Sequence, residues 1–142
     1  MTKNDLKVGN WVYRKNRFDN DKPIEIIYEI KEIKDFSIVY YELDFPKMDN
    51  FEMPYNDLVE VALNDSLLKK LGFTDFKTKT SIEDYAGYKL YKYSEMQFAF
   101  NGDSLYQFKL EIKQPNNYTG VTVFGDKFEF AHELQNFIND IE

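Results

Sequence analysis

Between Val8 and Val61 apolar side chains return at every second position in five runs, WVY, IEIIYEI, FSIVYYEL, NFEMPY and DLVEV, each too short for a stable helix. Successive residues of a strand point to opposite faces, so a period of two commits these segments to strands with one buried face. In IEIIYEI the set Ile24, Ile26, Tyr28 and Ile30 shares a face while Ile33 falls on the other, which predicts a bulge or sharp bend after Ile30. Short bent strands of this kind close most economically into a small SH3-like barrel, assigned to residues 1–62. The 13 Phe and 11 Tyr agree, because aromatic side chains favour pleated, half-buried surfaces.

The segment LNDSLLKKLGF then switches to a short helix, assigned as a linking piece over 63–73. Asn64 serves as its N-cap, Leu63 and Leu68 as a hydrophobic staple, and Gly72 as the left-handed residue that ends it. TDFKTKTSIEDYAG reads as a loop, after which the two-residue period returns. Tyr88 and Leu90, Met96 to Phe100, Tyr106 to Ile112, and Val121 and Val123 supply four further strands, with Asn101-Gly102 as a tight hairpin turn. The expected class is therefore α+β: an N-terminal SH3-like barrel, a linking helix, and over 74–142 an antiparallel sheet closed by a terminal helix.

That helix carries FEFAHELQNFINDIE and the chain's single histidine, His132. At about 100° per residue, Phe130, Leu134, Phe137, Ile138 and Ile141 form a core-facing stripe. His132, Gln135, Asn136 and Asn139 fall opposite, an uncharged polar stripe. A solvated face, or groups bonded to a neighbouring loop, is the first reading, because a catalytic histidine needs partners at bonding distance. A recognition face of neutral hydrogen-bonding groups is the second.

Reactive chemistry finds little support in the residues. With no cysteine there is no disulfide, thiolate nucleophile or Cys-bound zinc, and the cytoplasm is the expected compartment. One His without a spaced Glu, and no DxDxDG loop, give no metal ligand set. The six glycines never cluster to cradle phosphate, and no Ser sits in a GxSxG elbow. No catalytic residue, cofactor site or metal site is assigned, and the chain is read as a non-enzyme. Neither an apolar leader at the start nor a run of about 20 apolar residues is present, so no membrane role is expected. A net charge of −7 makes direct nucleic-acid binding unexpected as well.

Two surfaces stand out. WVYRKNR groups Trp11, Tyr13, Arg14, Lys15 and Arg17, residue types that stack bases and touch phosphates, but DNDK follows at once and cancels much of the field. Tyr40 to Glu60 holds six acidic residues against one Lys, interleaved with aromatics. Glu42, Asp44, Phe45, Asp49, Phe51 and Glu52 are its candidate contacts for a basic or nucleic-acid-binding protein partner.

Three stretches, LKVGNWV, LNDSLLKKLGF and FAHELQNF, together resemble a family of short proteins from phages, prophages and mobile elements of Bacteroidetes. Its members show an L-x-I/V-G-N-x-V start, an L-T-x-x-x-L-x-x-x-G-F helix and a Y/F-x-H-x-L-Q-N end; here Asn64 replaces the Thr cap. The resemblance implies a small accessory protein and brings no catalytic residue with it. The function expected is binding of a protein, specifically inhibition of a host defence nuclease or immune effector, as anti-CRISPR proteins do. A nucleic-acid-associated SH3-like module, and a small-ligand binder or hydrolase, are the alternatives. Oligomeric state is left open.

Overall fold

A computed structural model describes residues 3–16, 20, 22–44, 51–76, 88–113 and 118–141. The chain is α+β and divides into two compact units, Met1–Ala62 with Phe130–Glu142, and Leu63–Glu129.

In the first unit the expected alternation becomes five strands: β1 (Trp11–Asn16), β2 (Lys22–Ile33), β3 (Ser37–Glu42), β4 (Phe51–Pro54) and β5 (Leu58–Val59). They pair antiparallel in the order β4-β3-β2-β1-β5, a sheet curled into a half-barrel, with a 3-10 turn at Tyr55–Asp57 between β4 and β5. The bend after Ile30 is present. Ile30 faces Tyr40 and Glu32 faces Val39, so one extra residue on β2 breaks the register, and Ile33 packs against the same core as Ile30. A second irregularity was not expected. Val12 pairs with Tyr28 but Arg14 with Ile24, which leaves Glu25 to Ile27 opposite one residue and turns Ile26 outward, 42% exposed instead of in the core. The core consists of Leu6, Val12, Tyr28, Ile30, Ile38, Tyr40, Met53 and Leu58. Full burial stabilises by about 1.5–3 kcal/mol for each large aliphatic side chain, offset by the entropy of ordering it.

The second unit begins with α1 (Asp65–Lys70). Asn64 caps it as expected, its Oδ1 accepting from Leu67 N–H at 2.9 Å, and Gly72 ends it at φ +101°, where Phe73 N–H donates back to Leu68 C=O at 3.0 Å. This helix is no free-standing linker. Asp65 accepts from Lys89 Nζ at 2.6 Å and Tyr91 O–H at 2.5 Å, tying α1 to the sheet of its own unit. Those bonds hold the Asp65 carboxyl down at about 2, while burial and then the bond to Asp65 push the Tyr91 phenol up to about 12. The sheet runs β10-β9-β8-β7-β6: β6 (Thr74–Asp75), β7 (Lys89–Tyr93), β8 (Met96–Phe100), β9 (Leu105–Lys113) and β10 (Tyr118–Phe128). The four expected strands are β7 to β10. The stretch read as a loop begins instead with β6, paired to Tyr91 and Lys92; residues 77–87 lie outside the described residues. At the β8–β9 turn Gly102 has φ +101°, and Asn101 Oδ1 accepts from the amides of Asp103 and Ser104.

The terminal helix α2 (Ala131–Ile141) corrects the expected division, because it belongs to the first unit and not with the second sheet. Ala131 N–H donates to Val61 C=O at 2.8 Å, and Glu133 folds back to accept from Phe130 N–H at 3.0 Å, which fixes where the helix starts. Leu134 and Ile138 are buried as the periodicity requires, whereas Ile141 is half-exposed at the last turn. Among the described residues no helix is long and apolar enough to cross a membrane.

Candidate functional site

The polar stripe of α2 is used inside the first unit. Gly9, at φ +94°, turns the chain into β1; its N–H donates to Ile30 C=O, and Ile30 N–H donates to Asn10 C=O. Gly9 C=O and Trp11 N–H are then left to find other partners, one acceptor and one donor, and a primary amide supplies both complements. Gln135 Oε1 accepts from Trp11 N–H at 2.8 Å and its Nε2 donates to Gly9 C=O at 3.2 Å. Beside it Asn10, fully buried, accepts from Lys7 N–H at 2.8 Å and donates to Asn136 Oδ1 at 2.8 Å. Asn136 in turn donates to Asp5 C=O at 3.4 Å. The stretches LKVGNWV and FAHELQNF are thus one interlocked structure, and two of the amide side chains that suggested recognition, Gln135 and Asn136, are spent on bonds within the unit.

His132 lies on the same side and is 8% exposed, so the solvated reading fails for it. Its ring stacks on Phe130 with planes 12° apart, and Nδ1 has no hydrogen-bond partner among the described residues. Burial lowers its pKa, with Glu133, Glu60 and Asp5 pulling the other way. A general base is oriented by a partner at bonding distance, and among the described residues Nδ1 has none. Asn139, alone of the four, is exposed.

At one end of the half-barrel the two sequence-nominated surfaces meet. Register sets Phe51 beside Tyr40 and Glu42 beside Tyr28, on the core face of the sheet. Tyr28 and Tyr40 touch edge to face at 4.8 Å, and Phe51 leans on Tyr40 at 5.9 Å. The Arg14 guanidinium donates to Tyr40 Oη at 3.1 Å. Burial raises the Tyr28 phenol, with Tyr40 and Glu42 adding to the effect and Arg14 opposing it. Tyr40 is buried while Phe51 is 50% exposed. The result is an aromatic patch with its floor inside the core, its upper ring in solvent, and one cation and one carboxylate at its margin.

The remaining nominated residues disperse. Glu52 is on the opposite face of β4, held by Lys34 at 2.5 Å, a bond that lowers its carboxyl. Asp44 is exposed past the end of β3; Phe45, Asp49 and Arg17 lie outside the described residues. Tyr13 and Lys15 are half-buried. Trp11 is 7% exposed, so its indole offers no platform for stacking bases; its Nε1–H donates to Glu29 Oε1 at 3.4 Å. Glu29 also accepts from Tyr41 O–H on its other oxygen, which makes a row Trp11–Glu29–Tyr41 across β1, β2 and β3. The sequence reading passed over Glu29, although the alternation in IEIIYEI already put it on the face opposite Tyr28 and Ile30.

Among the described residues no group of three or more His, Asp or Glu could hold a metal ion. No protein-family model, curated protein or solved structure matches the chain.

Proposed function

We propose that the chain is a non-enzymatic, protein-binding accessory protein whose contact surface is the Tyr40 patch of the first sheet. One observation carries the reading: Phe51, half in solvent, rests on a buried Tyr40 whose position is fixed by Tyr28 and Arg14. An aromatic side chain supported by a rigid floor and rimmed by charge has the anatomy of an interface anchor, since little entropy is lost when a partner covers it. The strand order β4-β3-β2-β1-β5 and the 3-10 turn before β5 support an SH3-like module. The net charge of −7 and the acid-rich run from Tyr40 to Glu60 favour a basic or nucleic-acid-binding protein as partner. On the resemblance to phage and mobile-element proteins, that partner is a host defence nuclease or immune effector, held inactive by the contact.

The test begins with isolation of the partner from the native host, followed by affinity measurement with purified components. Phe51→Ala is expected to raise Kd by about 30-fold, the loss of one hot-spot side chain. Phe124→Ala, at an exposed aromatic of the second unit, serves as control and should leave Kd unchanged. Equal affinity of Phe51→Ala and wild type, or loss of binding only on changing Lys15, would overturn the reading in favour of the basic cluster.

A further inference from the structure

In the first unit lysines pair with carboxylates that need them least. Lys3 meets Asp35 at 2.8 Å, Lys34 meets Glu52 at 2.5 Å and Lys7 meets Asp140 at 3.3 Å, and all three acidic side chains are more than half exposed, where water already screens their charge. Glu29 is more buried than any of them, and among the described residues no cation reaches it. Both of its oxygens instead accept from neutral donors, the Trp11 indole N–H at a long 3.4 Å and the Tyr41 hydroxyl. Neutral donors orient a carboxylate without cancelling its charge, and a partly desolvated charge gains most from a counter-ion.

We propose that Glu29 is a seat for one arginine side chain of the partner. Glu29 lies on the sheet face opposite the Tyr40 patch, so the seat is a second contact beyond that patch, and it rests on the protein-binding reading. Each carboxylate oxygen has a second acceptor position free of its present donor, so a planar guanidinium can bond to both at once. The half-buried Tyr41, whose hydroxyl meets Glu29, is a wall against which a weakly hydrated guanidinium packs better than a compact ammonium. The row occupies three adjacent strands, so the geometry is set by sheet register and not by a mobile loop.

The experiment uses the chain's single tryptophan, which sits in the site. The blocked peptide Gly-Gly-Arg-Gly-Gly is titrated into the whole protein while Trp11 emission and the Trp11 indole N–H resonance are followed. Its citrulline counterpart, the same shape without charge, is the control. A saturable response to the arginine peptide is expected, at least about tenfold weaker for citrulline and for Glu29→Gln, which retains an acceptor for Trp11. Tyr41→Phe, which releases one oxygen, should weaken binding about threefold and is the second variant should Glu29→Gln fail to fold. Equal responses to the two peptides, full-strength binding by Glu29→Gln, or no saturable response would overturn the proposal. The two readings fail separately: partner binding lost in Phe51→Ala but intact in Glu29→Gln removes the arginine seat alone, and arginine-peptide binding without any effect of Phe51→Ala on the partner removes the Tyr40 patch alone.

Discussion

Replacing Gln135 by alanine should be among the costliest changes to a polar residue in this protein. One side chain closes two backbone groups, accepting from Trp11 N–H at 2.8 Å and donating to Gly9 C=O at 3.2 Å, beside a tryptophan that is nearly buried. Truncation leaves both groups unpaired. Each unsatisfied buried backbone group costs about 1–3 kcal/mol, so the pair sums to about 2–4 kcal/mol once water partly refills the space. Against a typical total of about 5–15 kcal/mol this is a large fraction of the fold's stability. Urea titration followed by Trp11 fluorescence reads it, because the only tryptophan lies at the broken bond. Gln135→Glu separates the two bonds: its carboxylate can accept from Trp11 but cannot donate to Gly9, so it should recover only part of the loss. A cost below about 0.5 kcal/mol for Gln135→Ala, the range of ordinary surface substitutions, would refute the reasoning and return the stripe to solvent.

Leu134→Ala removes a fully buried side chain from α2 and should cost about 2–5 kcal/mol by the same titration; a neutral result would overturn the orientation of the helix. Gly72→Ala should cost about 1–2 kcal/mol, because φ +101° strains any L side chain while the added methyl makes only ordinary contact with the Tyr93 ring at 3.4 Å; an unchanged midpoint would contradict this. For His132 the folded pKa lies below the ordinary 6.5, so its neutral form contributes stability that is complete above that value and lost as pH falls through the lower, folded one. Glu133, Glu60 and Asp5 soften the loss without reversing it. His132→Leu should flatten the fall in urea midpoint between pH 8 and pH 5, and an equally steep fall would remove the histidine from the account.

The parts of this fold legible in the sequence are those set by local periodicity. Alternation located the strands, the misplaced Ile33 announced the bulge in β2, and Asn64 and Gly72 marked the ends of α1 because capping is a short-range interaction. The terminal helix was found but not its neighbour. Its apolar stripe says only that some core receives it, whereas its unit is set by amides meeting Gly9, Asn10 and Trp11, more than a hundred residues away in the chain. Uncharged Gln135 and Asn136 side by side were a usable signal, since carboxylates or lysines could not both donate and accept. Burial of His132 carried no such signal, because helical angle alone does not reveal that two sides of a helix are covered. At the candidate site, composition nominated Arg14, Glu42 and Phe51 as members of opposed surfaces, and only the pairing of β3 with β2 and β4 brings them around Tyr40.

The central functional claim is that a protein partner covers the Tyr40 end of the first sheet, and backbone hydrogen exchange of the purified complex tests it most directly. Added protection is expected over Ser37–Glu42 and Phe51–Pro54 relative to the free protein, with α2 unchanged because none of its residues belongs to the Tyr40 patch. Protection confined to α2 or to the β9–β10 hairpin, with β3 and β4 unaltered, would contradict it.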